Sequence, residues 1–154
     1  MKTLLRSQKG FTLIEILLVV AAIAILAGIV IVAINPAKQL AATRDAERNS
    51  EVNTILNAVS QYIVAEAAIP AAIDTGTCSA IAAMEICKTT ATGTCATGVA
   101  LSADLVDEYV AALPADPTGA SADGTGYYIA KSAGDRITVC GTPETAGAVL
   151  SVTR

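Results

Sequence analysis

Hydrophobic and polar positions are divided unevenly along this chain. Between Phe11 and Ile34, 21 of 24 residues are apolar, and the 19 residues from Ile16 to Ile34 carry no charge. At about 1.5 Å per residue in a helix, such a run approaches the roughly 30 Å hydrocarbon thickness of a bilayer. A secretory signal has a shorter apolar region, about 7 to 15 residues, followed by a small-residue cleavage site. The pattern therefore predicts a membrane-spanning helix. Lys2, Arg6 and Lys9 precede the run and only Lys38 closely follows it, which by the positive-inside rule places the N-terminus in the cytoplasm and the remainder outside.

After Ala37 the pattern changes. Lys38, Arg44, Asp45, Glu47, Arg48 and Glu51 lie three or four apart in several opposite-sign pairs, a spacing that supports a helix. Those pairs read equally as a solvated face or as bridges between subunits. Val52, Ile55, Leu56, Val59, Tyr62 and Ile63 then recur at helical spacing and define one apolar stripe. A helix from Phe11 to about Ala68 would run about 87 Å at 1.5 Å per residue, too long for a compact domain of this size. Its first half must be packed by lipid or by other copies, and its second half must carry the soluble part. Within it, Gly28 and Pro36 are the helix-weakening positions, and a kink or local melting is expected near Asn35-Pro36.

Pro70 is expected to stop the helix, and residues 73–101 are rich in Thr, Gly, Ser and Cys, as loops are. Two short helices are predicted: Ala80 to Cys87, capped by Ser79, and Ala103 to Leu113, capped by Ser102 with Leu105, Tyr109 and Leu113 on one face. The two prolines of residues 113–119, LPADPTG, end the second. Tyr127 to Lys131, Arg136 to Cys140 and Ala148 to Val152 read as three short strands. An antiparallel sheet packed on the helix stripe gives an α+β fold.

Composition narrows the chemistry. The chain has 154 residues and no histidine, so it lacks the usual general base at neutral pH and the commonest metal ligand. Lys88 and Lys131, the remaining candidate bases for a hydroxyl nucleophile, sit in no recognisable motif. No catalytic residue is expected. Cys78, Cys87, Cys95 and Cys140 all fall on the outer side of the span, where four thiols read as two disulfides. Three connectivities are open, with Cys140 favoured to tie back to the loop region. Spacings of 9, 8 and 45 residues contain no C-x-x-C and do not read as a zinc site. Asp116 and Asp123, with carbonyls around residues 119–126, are the one place for calcium, yet two carboxylates supply little of a six-to-eight-oxygen shell. No cofactor is expected. The formal net charge is −4, and because the leader holds three of the cations, the rest of the chain carries −7. Such a surface repels nucleic acid.

Glu15 interrupts the apolar run, where a carboxylate near mid-membrane costs about 2.5 to 3.5 kcal/mol. Either it lies near the interface and snorkels, or it has a cationic partner. Lys9-Gly10-Phe11-Thr12-Leu13-Ile14-Glu15, after a short basic leader and before a long apolar helix, resembles the N-terminal signature of type IV pilins and pseudopilins. That resemblance implies cleavage after Gly10 by a membrane-embedded prepilin peptidase, N-methylation of Phe11, and pairing of Glu15 with the amino terminus of a neighbouring subunit. It divides the chain into a leader (1–10), a transmembrane assembly helix (11–35), an amphipathic helix half (36–68) and an extracytoplasmic globular region (69–154). Many pilins place the softening glycine and proline one helical turn earlier than Gly28 and Pro36, with the same spacing between them.

By the same resemblance the product is a structural subunit, inserted in the inner membrane as a single-pass precursor and polymerised by membrane assembly machinery into an extracellular filament. Motility and cell adhesion are roles such filaments serve. The alternatives are a pseudopilin of a type II secretion-like system, to which the Leu-Pro-x-Asp-Pro loop is also similar, and an adhesin or DNA-uptake pilin. A basic or aromatic loop would support the latter, and the segment between Cys78 and Cys95 is mostly Thr, Ala and Gly.

Overall fold

The structure, a computed structural model, describes residues 10–89 and 93–154. The cationic leader positions Lys2, Arg6 and Lys9 lie outside the described residues. The chain divides into two compact units, residues 1–39 and 40–154.

In the first unit α1 (Leu13–Ile34) is a 22-residue helix with no buried residue. Thr12 caps it: its Oγ1 accepts a hydrogen bond from the Glu15 amide at 3.3 Å, and the Glu15 carboxylate accepts one from the Thr12 amide at 3.5 Å. The reciprocal bonds satisfy two amide donors at the helix start. Gly28 lies inside α1 with no interruption there. The helix ends at Asn35, whose φ of 48° is left-handed, a conformation asparagine tolerates better than most residues. Pro36 then opens α2 (Pro36–Glu66) at the first helical position, where its missing amide costs nothing, and Asn35 accepts the Lys38 amide through both its carbonyl and its side chain. The sequence predicts one helix to about Ala68; the chain forms two, divided at a single residue. The stop also comes earlier than Pro70, at Ala67, which takes a φ of 53°.

In the second unit α2 turns Arg48, Val52, Ile55, Leu56, Ala58 and Val59 inward, with Tyr62 and Ile63 packed at the edge. This is the expected apolar stripe, extended one turn toward the N-terminus by an arginine. It packs on a five-stranded sheet in the order β2-β1-β3-β4-β5. The strands are β1 (Glu85–Cys87), β2 (Val99–Ala100), β3 (Gly124–Lys131), β4 (Ile137–Gly141) and β5 (Ser151–Thr153). β3, β4 and β5 are antiparallel neighbours, with Ile129 opposite Val139 and Val139 opposite Val152, while β1 pairs antiparallel with β3 and parallel with β2. Tyr127, Ile129, Ile137 and Val139 line the inner face and meet Ile73, Ile86, Leu101, Leu105 and Leu150 in one core. The α+β expectation holds, and the arrangement is consistent with the pilin fold.

Two predicted helices give way. Ala80 to Cys87 contains only a 3-10 turn at Ala82–Met84 before the chain extends into β1, because Ile86 and Cys87 become fully buried when strand pairing draws them under the sheet. Ala103 to Leu113 shrinks to the single turn α3 (Ser102–Leu105), with Leu101 rather than Ser102 at its N-cap. Leu105 and Leu113 still reach the core and Tyr109 still packs against it. Tertiary burial overrides a short stretch of helical propensity.

Candidate functional site

At the N-terminal end, Gly10 and Phe11 precede α1 and are exposed, Phe11 by 79%. Glu15 stands on the first turn of α1, its carboxylate turned back to Thr12. Beyond it the helix surface is Leu, Ile, Val and Ala: Leu13, Leu17, Ile23, Leu26 and Val32 are all more than half exposed. A continuous apolar surface of that extent calls for a covering, and among the described residues none buries any part of α1. α1 is also long and apolar enough to cross a membrane.

These features coincide with a family-model match. Residues 5–31 carry the prokaryotic N-terminal methylation motif. That motif is the type IV pilin and pseudopilin signature. No curated protein and no solved structure matches the chain. The pilin-type motif and the apolar helix together fit a membrane-anchored precursor.

The four cysteines form two bridges, Cys78–Cys140 and Cys87–Cys95, with no free thiol among the described residues. The first joins the segment after the helix to β4, as the favoured connectivity has it. The second closes a short loop between β1 and β2. Cys87, Cys95 and Cys140 are buried and Cys78 is half-buried.

Sequence reasoning missed a polar cluster centred on Arg48, which is 1% exposed. Its Nε donates to Asp116 Oδ2 at 2.7 Å and its Nη2 to Asp116 Oδ1 at 3.0 Å, a two-point contact across 68 residues. Nη1 donates to Asp45 at 2.9 Å, and Nη2 also reaches Glu144 at 2.8 Å and the Thr118 hydroxyl. Arg44 grips Glu144 from the solvent side, Nη2 to Oε2 at 2.6 Å. Asp45 accepts the backbone amides of Glu144 and Thr145 at 2.9 and 2.8 Å. Within the chain, Arg44, Asp45 and Arg48 on α2 pair with residues far along the sequence, Arg48 buried and Arg44 at the solvent edge. The signal was present: Arg48 precedes Val52, Ile55 and Val59 by four, seven and eleven residues, which puts it on the buried stripe.

Charge neutralisation shapes the titration of this cluster. Hydrogen bonds from Arg44 and then Arg48 hold the Glu144 carboxyl down at about 2. The backbone amides of Thr145 and Glu144, with the Arg48 guanidinium, hold Asp45 well below the usual carboxylate range. Burial pushes Asp116 up, but Arg48 and the amides of Thr118 and Gly119 outweigh it and leave Asp116 lowered. Burial, reinforced by a hydrogen bond to the Glu51 carboxylate, pushes the Tyr127 phenol above its ordinary value.

The same geometry bears on calcium. Both Asp116 oxygens face the Arg48 guanidinium and the amides of Thr118 and Gly119. A divalent ion would have to displace the buried Arg48 guanidinium to reach the Asp116 oxygens. Among the described residues no group of three or more carboxylate or thiol side chains gathers into a metal-binding cluster.

Proposed function

We propose that the chain is the precursor of a structural filament subunit, cleaved after Gly10 by a prepilin peptidase, methylated at Phe11 and polymerised through α1. The observation that carries this reading is the conjunction of the methylation motif with a 22-residue apolar helix, none of which is buried. In the membrane, lipid covers that surface; in a filament, the helices of other copies do. Glu15, costly beside hydrocarbon, pairs with the new amine of a neighbouring subunit, where a low dielectric strengthens the attraction. The role is structural, and the disulfide-braced second unit is what the filament displays outside the cell.

Co-expression with a prepilin peptidase and measurement of the mature mass tests the processing. The expected product begins at a methylated Phe11, and retention of the leader or a different amino terminus overturns the proposal. Abundant extracellular fibres containing the subunit separate a pilus from a pseudopilin of a secretion machine, which forms no long surface fibres.

A further inference from the structure

The segment joining β4 to β5 has an unusual attachment. From residue 142 to 149 no residue is buried, and Val149 is 83% exposed. Its two ends are fixed: Gly141 donates to the Leu150 carbonyl, Leu150 is in the core, and Cys140 is bridged to Cys78. Between those ends the segment's hydrogen bonds and ion pairs to the rest of the molecule converge on one end of the cluster. Asp45 receives the amides of Glu144 and Thr145, while Arg44, Arg48 and the Thr118 hydroxyl hold the Glu144 carboxylate. Apolar burial resists salt, whereas an ion pair with Arg44 and Glu144 side chains 37% and 26% exposed is open to screening.

We propose that residues 142–149 form a releasable strap: a charge-held segment that lifts off α2 as a unit while the sheet and the α2 stripe remain folded. Closed, it supplies the carboxylate that two arginines share. Open, it frees Arg44 and one side of Arg48 and takes both amides from Asp45, so the Arg44–Glu144 pair is lost while Asp45 and Asp116 keep Arg48. The lever is ionic strength rather than pH near neutrality, since the groups facing the strap are Arg44, Asp45 and Arg48 from α2 and Asp116 and Thr118 from the 113–119 loop, and both arginines stay charged.

Native-state hydrogen exchange on the full chain in detergent micelles tests this. In Asp45→Asn, and separately in the milder Arg44→Gln, the amides of Glu144 and Thr145 are expected to exchange on the order of tenfold faster, with β3 and β4 amides unchanged. Raising sodium chloride from about 0.05 M to about 1 M should move the same amides of the unsubstituted chain in the same direction. Loss of protection in β3 and β4 in step with the strap would overturn the proposal, because opening would then be global. Strap amides indifferent to both substitutions and to salt would overturn it equally.

Discussion

Arg48 and Asp116 meet in a buried, two-point ion pair that links the middle of α2 to the loop before β3. Removing Arg48 leaves the buried Asp116 without its cation, whereas removing Asp116 leaves Arg48 still paired with Asp45 and Glu144. Arg48→Ala is therefore expected to cost about 3 to 5 kcal/mol and Asp116→Ala less, with the double substitution below the sum. Urea unfolding of the chain in mild detergent, followed by tyrosine circular dichroism, measures all three. Arg48→Lys should recover only part of the loss, because an ammonium lacks the planar fork that matches a carboxylate.

The cluster also sets a pH profile. Asp45, Asp116 and Glu144 all bind protons less readily folded than unfolded. The unfolded chain therefore takes up protons first as pH falls, and stability declines with acid. The contribution is fully present at neutral pH and is lost from the ordinary carboxylate value near 4 down to about 2, the folded value of Glu144. Tyr127 works the other way: its folded value is raised, so its contribution is complete below about pH 10 and lost above it. Thermal melts from pH 2 to 11 should show a plateau with a shoulder at each end, and Tyr127→Phe should reduce the alkaline one, leaving the part due to Tyr62, Tyr109 and Tyr128, which are also raised.

The two disulfides differ in what they restrain. Cys78–Cys140 spans 62 residues and Cys87–Cys95 only 8. By loop-closure entropy, replacing the first pair with serine should cost about 4 kcal/mol and the second about 2.5 kcal/mol. Urea midpoints of the two double-serine variants decide whether that order holds.

On the proposed function, Glu15→Ala leaves the chain inserted in the membrane, since it removes a costly group from the apolar run, yet blocks polymerisation. Membrane fractionation together with sheared-filament yield checks it; normal filament yield would remove the pairing argument.

The long-period features were legible in the sequence. Val52 to Ile63 announces a stripe over three turns, and residues 127–131 and 136–140 read as strands that form, whereas of the third predicted strand, 148–152, only Ser151 and Val152 lie in β5. β1 and β2, three and two residues long, carry no period to detect, and only pairing with β3 makes Glu85–Cys87 extended. Helical propensity around Ala82 and Ala103 was real but local, and burial of Ile86 and Leu101 outweighed it. The N-terminal segment was readable because its motif is contiguous. The Arg48 cluster was not, because its members come from residues 44–48, 116–118 and 144–145 and meet only through tertiary structure.

The helix α1 has no residue sheltered by its own chain. Its side chains are therefore judged by whatever surrounds it and never by the domain it carries. On the proposed function, a substitution there is expected to leave the melting curve of the second unit where it was while changing which other copies pack against the helix.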